Sequence, residues 1–235
     1  RKDQLSSLCK VGGIPSFAVF DTDGTLITSD GRAAVTGDPT GDEFPWYPKP
    51  VGNLKGGPGD INEVTTVLAF CETSDVAVQK AILEAMTPIA EKFIAEAKAQ
   101  GEDSPRMAFL IVTESQGLAP RLRGMMSMTA LAPAEHEHPL EKSDRTTGWG
   151  CDGCGQSGAG KDRYRCTQGC DHDLCGDCVE TQKAGKVTVD PKLMIVDIPD
   201  DGAYYEGMEG TVTTATVQKF VDDYLAKTLE RKQLS

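Results

Sequence analysis

Six of the eight cysteines fall within 28 residues, as Cys151-x2-Cys154, Cys166-x3-Cys170 and Cys175-x2-Cys178. His136 and His138 lie just upstream. Tetrahedral zinc takes four soft or borderline ligands presented on short turns, and a CxxC pair has the right bite. Three cysteine pairs and a His-x-His supply ligands for two zinc ions with four each. Too few apolar residues surround them to hold the stretch together by burial, so bound metal is its expected source of stability. Two other uses of the thiols compete. A redox CxxC usually stands alone at a helix start after a strand, whereas here the pairs crowd a Gly- and Asp-rich stretch, Gly148 to Asp177. Six cysteines also pair evenly into disulfides, but no secretory apolar segment is visible and the nearby histidines suit metal better.

In a cross-braced finger the first and third pairs share one ion. That places Cys151, Cys154, Cys175 and Cys178 on one zinc, and Cys166, Cys170, His136 and His138 on the other. His172 is an alternative to either histidine, each of which is otherwise an ordinary surface residue.

The elements that must position these groups belong to an acidic chain. Its 235 residues allow one or two domains with a real core, and the formal charge is −12. With a pI of about 4.7 it lacks the basic excess of a phosphate-binding surface, so nucleic acid is not an expected partner. No apolar run approaches the roughly 18 residues of a membrane span. The sequence begins with Arg1 rather than Met, which points to a piece of a longer or processed protein whose targeting signal is out of view. Thiol-rich usage suits a reducing compartment, cytoplasm or nucleus.

Gln4 to Lys10 reads as a helix end. Ser16 to Phe20 reads as a buried strand, Asp21-Thr22-Asp23-Gly24 as a hairpin turn, Thr25 to Thr28 as the returning strand, and a short helix follows from Gly31. Phe44 to Pro50 holds three prolines and reads as an extended linker whose aromatics dock it to a neighbour. Val67 to Phe70 is the next buried strand. Ser74 is the expected cap of a long helix to Gln100, closed by Gly101 and kinked at Pro88. Met107 to Val112 is a strand, and Leu118 to Met126 is helical. After the cysteines, Leu193 to Val196 is a strand, Asp200-Asp201-Gly202 a turn, and Thr214 to Lys232 a last helix with Val217, Phe220, Val221, Tyr224, Leu225 and Leu229 buried.

The segment Ile14-Pro15 to Asp21 aligns with Asp190-Pro191 to Asp197, each an X-Pro, an apolar strand, an Asp and a Gly turn. Two such segments suggest two copies of one fold. Val11 to Gly24, then Gly31-Arg32, Phe44-Pro45-Trp46 and Pro48-Lys49-Pro50, resemble the nucleoredoxin family, at the end of its central thioredoxin-like domain and the linker beyond. Val64 to Lys92 resembles the family's last domain, and His136-Glu137-His138 resembles the start of the finger in its plant-type members. Cys175 departs from that pattern, which often has His there, and so does the stretch from Val187 to Ser235.

The resemblance implies an α/β protein of thioredoxin-like fold. Residues 1–43 would be the C-terminal half of a first copy and 44–51 a Pro-rich linker. Residues 52–134 with 187–235 would form a complete second copy, interrupted by a small treble-clef or cross-braced zinc finger at 135–186. It also implies a cis-proline loop at Ile14 and Pro15, with Pro191 its second-copy equivalent. The family's chemistry is dithiol–disulfide exchange by a low-pKa cysteine at a helix N-terminus. Counting back from Pro88, the two thiol positions fall on Lys80 and Leu83, so the second copy is expected to be redox-inactive. Cys71 and Cys9 read as small buried side chains, with a reactive thiol at Cys71 the lesser alternative.

Other signals are weak. Gly56-Gly57-Pro58-Gly59 lacks the strand–helix setting of a phosphate cradle, Asp21-Thr22-Asp23 lacks the later acidic ligands of a calcium loop, and Asp42-Glu43 is solvated surface. Three readings follow. One is the C-terminal part of a protein-disulfide oxidoreductase whose finger recognises clients. The second is a non-catalytic adaptor within a larger assembly. The third is a finger for peptide tails or ubiquitin-like partners, with the acidic surface favouring basic peptides.

Overall fold

A computed structural model describes residues 15–29, 31–102, 104–133, 135–185 and 187–235. Cys9, the Gln4–Lys10 helix end and the Ile14 side of the proposed proline loop lie outside them.

The first described unit is the hairpin of β1 (Val19–Phe20) and β2 (Leu26–Thr28), followed by α1 (Gly31–Gly37). Its turn is made by the two aspartates. The Asp21 carboxylate accepts the Thr22 N–H at 2.6 Å and the Asp23 carboxylate the Thr25 N–H at 2.8 Å, while Gly24 takes φ 87°. The linker aromatics dock on this unit by their polar ends. Tyr47 OH donates to Asp21 (2.8 Å) and Trp46 Nε1 to Asp38 (2.9 Å). Phe17 and Phe44 each meet Trp46 edge-on. The Tyr47 bond holds the Asp21 carboxyl below its usual range, and the Glu43 N–H, with Trp46 adding, does the same for Asp38.

The main sheet has six strands: β3 (Gly52–Asn53), β4 (Thr65–Phe70), β5 (Met107–Val112), β9 (Lys192–Asp197), β10 (Ala203–Glu209) and β11 (Lys232–Gln233). Their order is β11-β10-β9-β4-β5-β3, with β3, β4 and β5 parallel and the others antiparallel. The central strands are buried on both faces, which is why they read as unbroken apolar runs rather than alternating ones. Val67, Ala69 and Ile195 pack beneath α2 (Val76–Gln100) and α5 (Thr214–Leu225), against Met86, Phe93, Val217 and Phe220. Leu68, Phe70 and Met194 face the other way, onto α3 (Ala119–Met125) and the Leu54 turn. This mixed α/β sheet with helices on both faces is compatible with a thioredoxin-like fold.

Three local expectations are corrected. Asp75, not Ser74, caps α2, its carboxylate accepting the Val78 N–H at 2.8 Å. That helix runs to Gln100 as expected, with the exposed Pro88 inside it. The last helix ends at Leu225 rather than near Lys232. Lys227 adopts φ 56°, its N–H bonds to Tyr224 O (2.9 Å) and the Thr228 N–H to Asp223 O (3.0 Å), a Schellman closure that turns the chain back toward β11. Leu229 still packs on the core from outside the helix. Finally, the cis bond expected at Pro191 is absent. Among the described residues the cis peptide is Phe44–Pro45, and Pro191 leads straight into β9, its carbonyl accepting the Gly210 N–H at 2.7 Å beside β10.

Between α3 and β9 the chain leaves the sheet to build a small unit. Strands β6 (Leu140–Ser143), β7 (Arg163–Cys166) and β8 (Asp173–Cys175) form an antiparallel sheet, followed by α4 (Gly176–Ala184). The departing chain is held by Arg123 Nη1, which donates to Thr129 O (3.1 Å). The returning chain is held by Thr73, whose hydroxyl donates to Val189 O (2.8 Å) and accepts the Val189 N–H (3.1 Å).

Candidate metal centres

The inserted unit brings eight potential ligands together as two quartets. Sγ atoms of Cys151, Cys154, Cys175 and Cys178 lie within 4.8 Å of one another, and so do ligand atoms of His136, His138, Cys166 and Cys170. These are the groupings read from the spacing. His172 joins neither. It stacks on His136 (centroids 4.3 Å, 14°), with Nδ1 3.8 Å from Asp152 Oδ2.

In the first quartet, Cys151 and Cys154 sit on a turn closed by Gly155 N–H to Cys151 O (2.7 Å), with Gly155 at φ 68°. Cys175 ends β8 and Cys178 lies in the first turn of α4. Cys154 Sγ is 3.9 Å from Cys175 Sγ. Two sulfurs on a tetrahedral zinc with bonds of about 2.3 Å stand about 3.8 Å apart. The Cys175 N–H points at Cys151 Sγ (3.1 Å), a bond that favours a thiolate there. A thiol hydrogen bond from Cys178, helped by backbone donors, holds Cys151 down at about 4 against its burial. The same pairing pushes Cys178 up, and burial raises Cys154 to about 11. Four sulfurs this close cannot all ionise unaided. A divalent cation removes the conflict. Gly153 is required here, since a Cβ would stand 2.9 Å from Cys178 Sγ and 2.7 Å from the Pro133 ring.

In the second quartet, Cys166 ends β7 and Cys170 follows a turn through Gly169 at φ 82°. Cys170 Sγ lies 3.3 Å from His138 Nδ1. Burial raises the Cys166 pKa, but hydrogen bonds from the Gln168 N–H, His136 and Cys170 bring it down to about 6. His136 Nε2 is buried without a hydrogen-bond partner. Trp149 Nε1 and His172 Nε2 share that state without converging on either quartet. Both donor sets fit zinc in ligand type, number and spacing.

The unit's small core explains why it can present these turns. Arg163 and Asp173, almost fully buried, form a two-pronged pair at 2.8 and 2.7 Å, and the guanidinium lies over the Trp149 ring. Gly158 presses on the other part of that ring, where a Cβ would come within 2.1 Å.

The remaining expected thiol site is at the C-terminal edge of the main sheet. Cys71 follows β4, is 1% exposed and donates through Sγ to Val112 O (3.3 Å). Burial, with Glu72 adding, pushes its pKa up to about 12, the opposite of an attacking thiol. Lys80 and Leu83 lie on the outward face in the second turn of α2, which begins earlier, at Val76. Sequence reasoning missed the group that occupies this edge. Glu72 takes Arg123 from α3 in a bidentate pair, with the guanidinium over the Phe70 ring. No spacing pattern announces a pair whose members are 51 residues apart.

Comparison with known proteins agrees with the two parts. A C1 domain is matched over residues 134–179. Over 134 residues, 57% of its length, the chain is 34% identical to nucleoredoxin of Xenopus laevis and to that of Homo sapiens, covering 32% and 30% of those proteins. It is 31% identical over the same length to nucleoredoxin of Danio rerio. The chain thus spans about a third of the length of the curated relatives it matches. No solved structure matches it. The chain is thus similar to nucleoredoxins over 57% of its length, and residues 134–179 are similar to a C1-type zinc finger.

Proposed function

We propose that this chain is the C-terminal part of a nucleoredoxin-like protein-disulfide oxidoreductase. Residues 1–43 are the end of one thioredoxin-like domain, 44–51 a linker, and 52–134 with 187–235 a second thioredoxin-like domain that does no redox chemistry. The finger at 135–186 holds two zinc ions and recognises protein clients. The observation that carries this reading is the state of the thiols. Six converge in two ligand quartets, and Cys71 is buried as a neutral thiol, so no described cysteine is exposed at a helix start as an exchange nucleophile. Zinc, when bound, supplies the cross-links that fix the finger's turns. The exchange dithiol belongs to the part of the protein outside these residues, and Ile14-Pro15 is the proline loop that the family resemblance sets opposite it.

The acidic composition supports protein rather than nucleic-acid partners, and a reducing compartment, cytoplasm or nucleus, suits thiols held as ligands. Among the described residues no helix is long and apolar enough to cross a membrane.

The test is dithiothreitol-driven insulin disulfide reduction by the 235-residue chain, beside a metal analysis. The expected result is no rate above the reductant alone and two zinc per chain. Turnover that persists in the zinc-loaded chain would overturn the reading. Deleting 135–186 from the longer protein should alter client choice and leave general disulfide reduction intact.

A second reading, a non-catalytic adaptor, is favoured by the Glu72–Arg123 pair, which fills the sheet edge where the fold would place exchange chemistry. It predicts no dithiol elsewhere in the protein.

A further inference from the structure

Two cavities lie side by side where the finger meets the C-terminal edge of the main sheet, and Ser115, Gln116 and Pro133 line both. One, of about 520 Å³, runs past Glu72, Thr73 and Glu135 to Val187. The other, of about 330 Å³, runs past Asp152 and Asp171 to His172. They adjoin along these three shared lining residues, and the pair is called the trough.

The trough suits an extended chain. Its lining sets the apolar Leu131 and the buried Pro133 beside Ser115 and Gln116, whose hydroxyl and amide can pair with a peptide backbone. Its charge has one sign. Glu72 is neutralised by Arg123, which leaves Glu135, Asp152 and Asp171 along its length, and no described lining residue is a lysine or arginine. Asp152 already accepts the Asp173 N–H (2.6 Å), and Asp171, 98% exposed, stands 3.8 Å from Arg165 at the rim. Carboxylates on one groove of a chain with net charge −12 repel acidic partners and draw basic ones.

We propose that this trough binds an extended, lysine- or arginine-bearing peptide segment. The inference rests on the finger being a recognition module and adds where and what it recognises. Contact runs across both parts, since Thr73 and Ser115 come from the sheet edge while Glu135 adjoins the ligand His136. Binding therefore requires the metal-loaded finger.

The experiment is fluorescence anisotropy of the zinc-loaded 235-residue chain with two labelled decapeptides, one alternating lysine and serine, the other glutamate and serine. The lysine peptide should bind, weakening as salt is raised from about 50 to about 500 mM, and the glutamate peptide should not. Glu135→Gln with Asp171→Asn should weaken binding about tenfold. Ala132→Trp, which fills the trough, should abolish it. Asp222→Asn, on α5, should leave it unchanged, and zinc content and circular dichroism verify each fold. Equal weakening by Asp222→Asn, or tight binding that survives Ala132→Trp, would overturn the trough. If no peptide binds but loss of the finger still changes client choice, the trough falls and the recognition reading stands. If finger loss changes nothing, the recognition reading falls as well.

Discussion

Glu72 and Arg123 face each other as a closed fork, Nε to Oε1 at 2.7 Å and Nη2 to Oε2 at 2.8 Å, with side chains 1% and 3% exposed. Removing one partner strands the other charge in the interior. Arg123→Met should cost about 3–5 kcal/mol of stability, while Glu72→Leu combined with Arg123→Met should cost much less, because the double change leaves no unpaired charge. Urea unfolding of the three proteins checks this. A single variant as stable as the double would show that the pair is solvated after all.

The quartets should lose metal independently. Cys154→Ser removes a ligand from the first and His136→Ala from the second, and each variant is expected to retain one zinc of two by metal analysis. The far-ultraviolet signal of α2 and α5 should persist, since neither helix draws on the finger for its core. Loss of both ions in either variant would mean that the two sites form as one.

Cys71 provides a pH test. Its folded pKa is about 12, and that of an unfolded thiol is about 8.5. Folding favours the neutral thiol, so the stabilisation is complete below about pH 8.5 and disappears as pH rises toward 12. The stability of the parent relative to Cys71→Val should therefore fall between pH 8 and pH 10. At pH 8 native Cys71 should also resist iodoacetamide, read by mass spectrometry. Rapid native labelling would return Cys71 to the list of working thiols.

Gly158→Ala should loosen the finger. The added methyl group enters the Trp149 ring, an overpacking cost of about 1–3 kcal/mol. The measurement is zinc release to a chromophoric chelator, expected to be faster than in the parent. An unchanged rate would show that the ring moves freely.

Much of the positioning frame was legible because its signals are local. An apolar run such as Val67 to Phe70 declares a strand buried on both faces, and the short bite of Cys151-x2-Cys154 declares a ligand turn wherever it lies in a fold. Asp21 to Gly24 spelled its own hairpin. The failures came where a tertiary or competing polar contact decided. Ser74 and Asp75 are both good caps, and only the backbone geometry chose the carboxylate. Lys227 entered the left-handed region without a glycine to announce it, so the helix pattern from Val217 to Leu229 ran past the true end at Leu225. The Glu72–Arg123 pair and the trough beside it arise from segments far apart in sequence, and neither leaves a periodic trace.

Residues 72 and 73 are neighbours, and through Arg123 and directly they fasten the outgoing Thr129 and the incoming Val189. The excursion between those two anchors starts and finishes at one doorway of the parent sheet. Such a doorway makes the finger an exchangeable cassette. A short loop, or a different small module, spliced between 129 and 189 meets the same fastenings, and the sheet carries it without relearning its strand order.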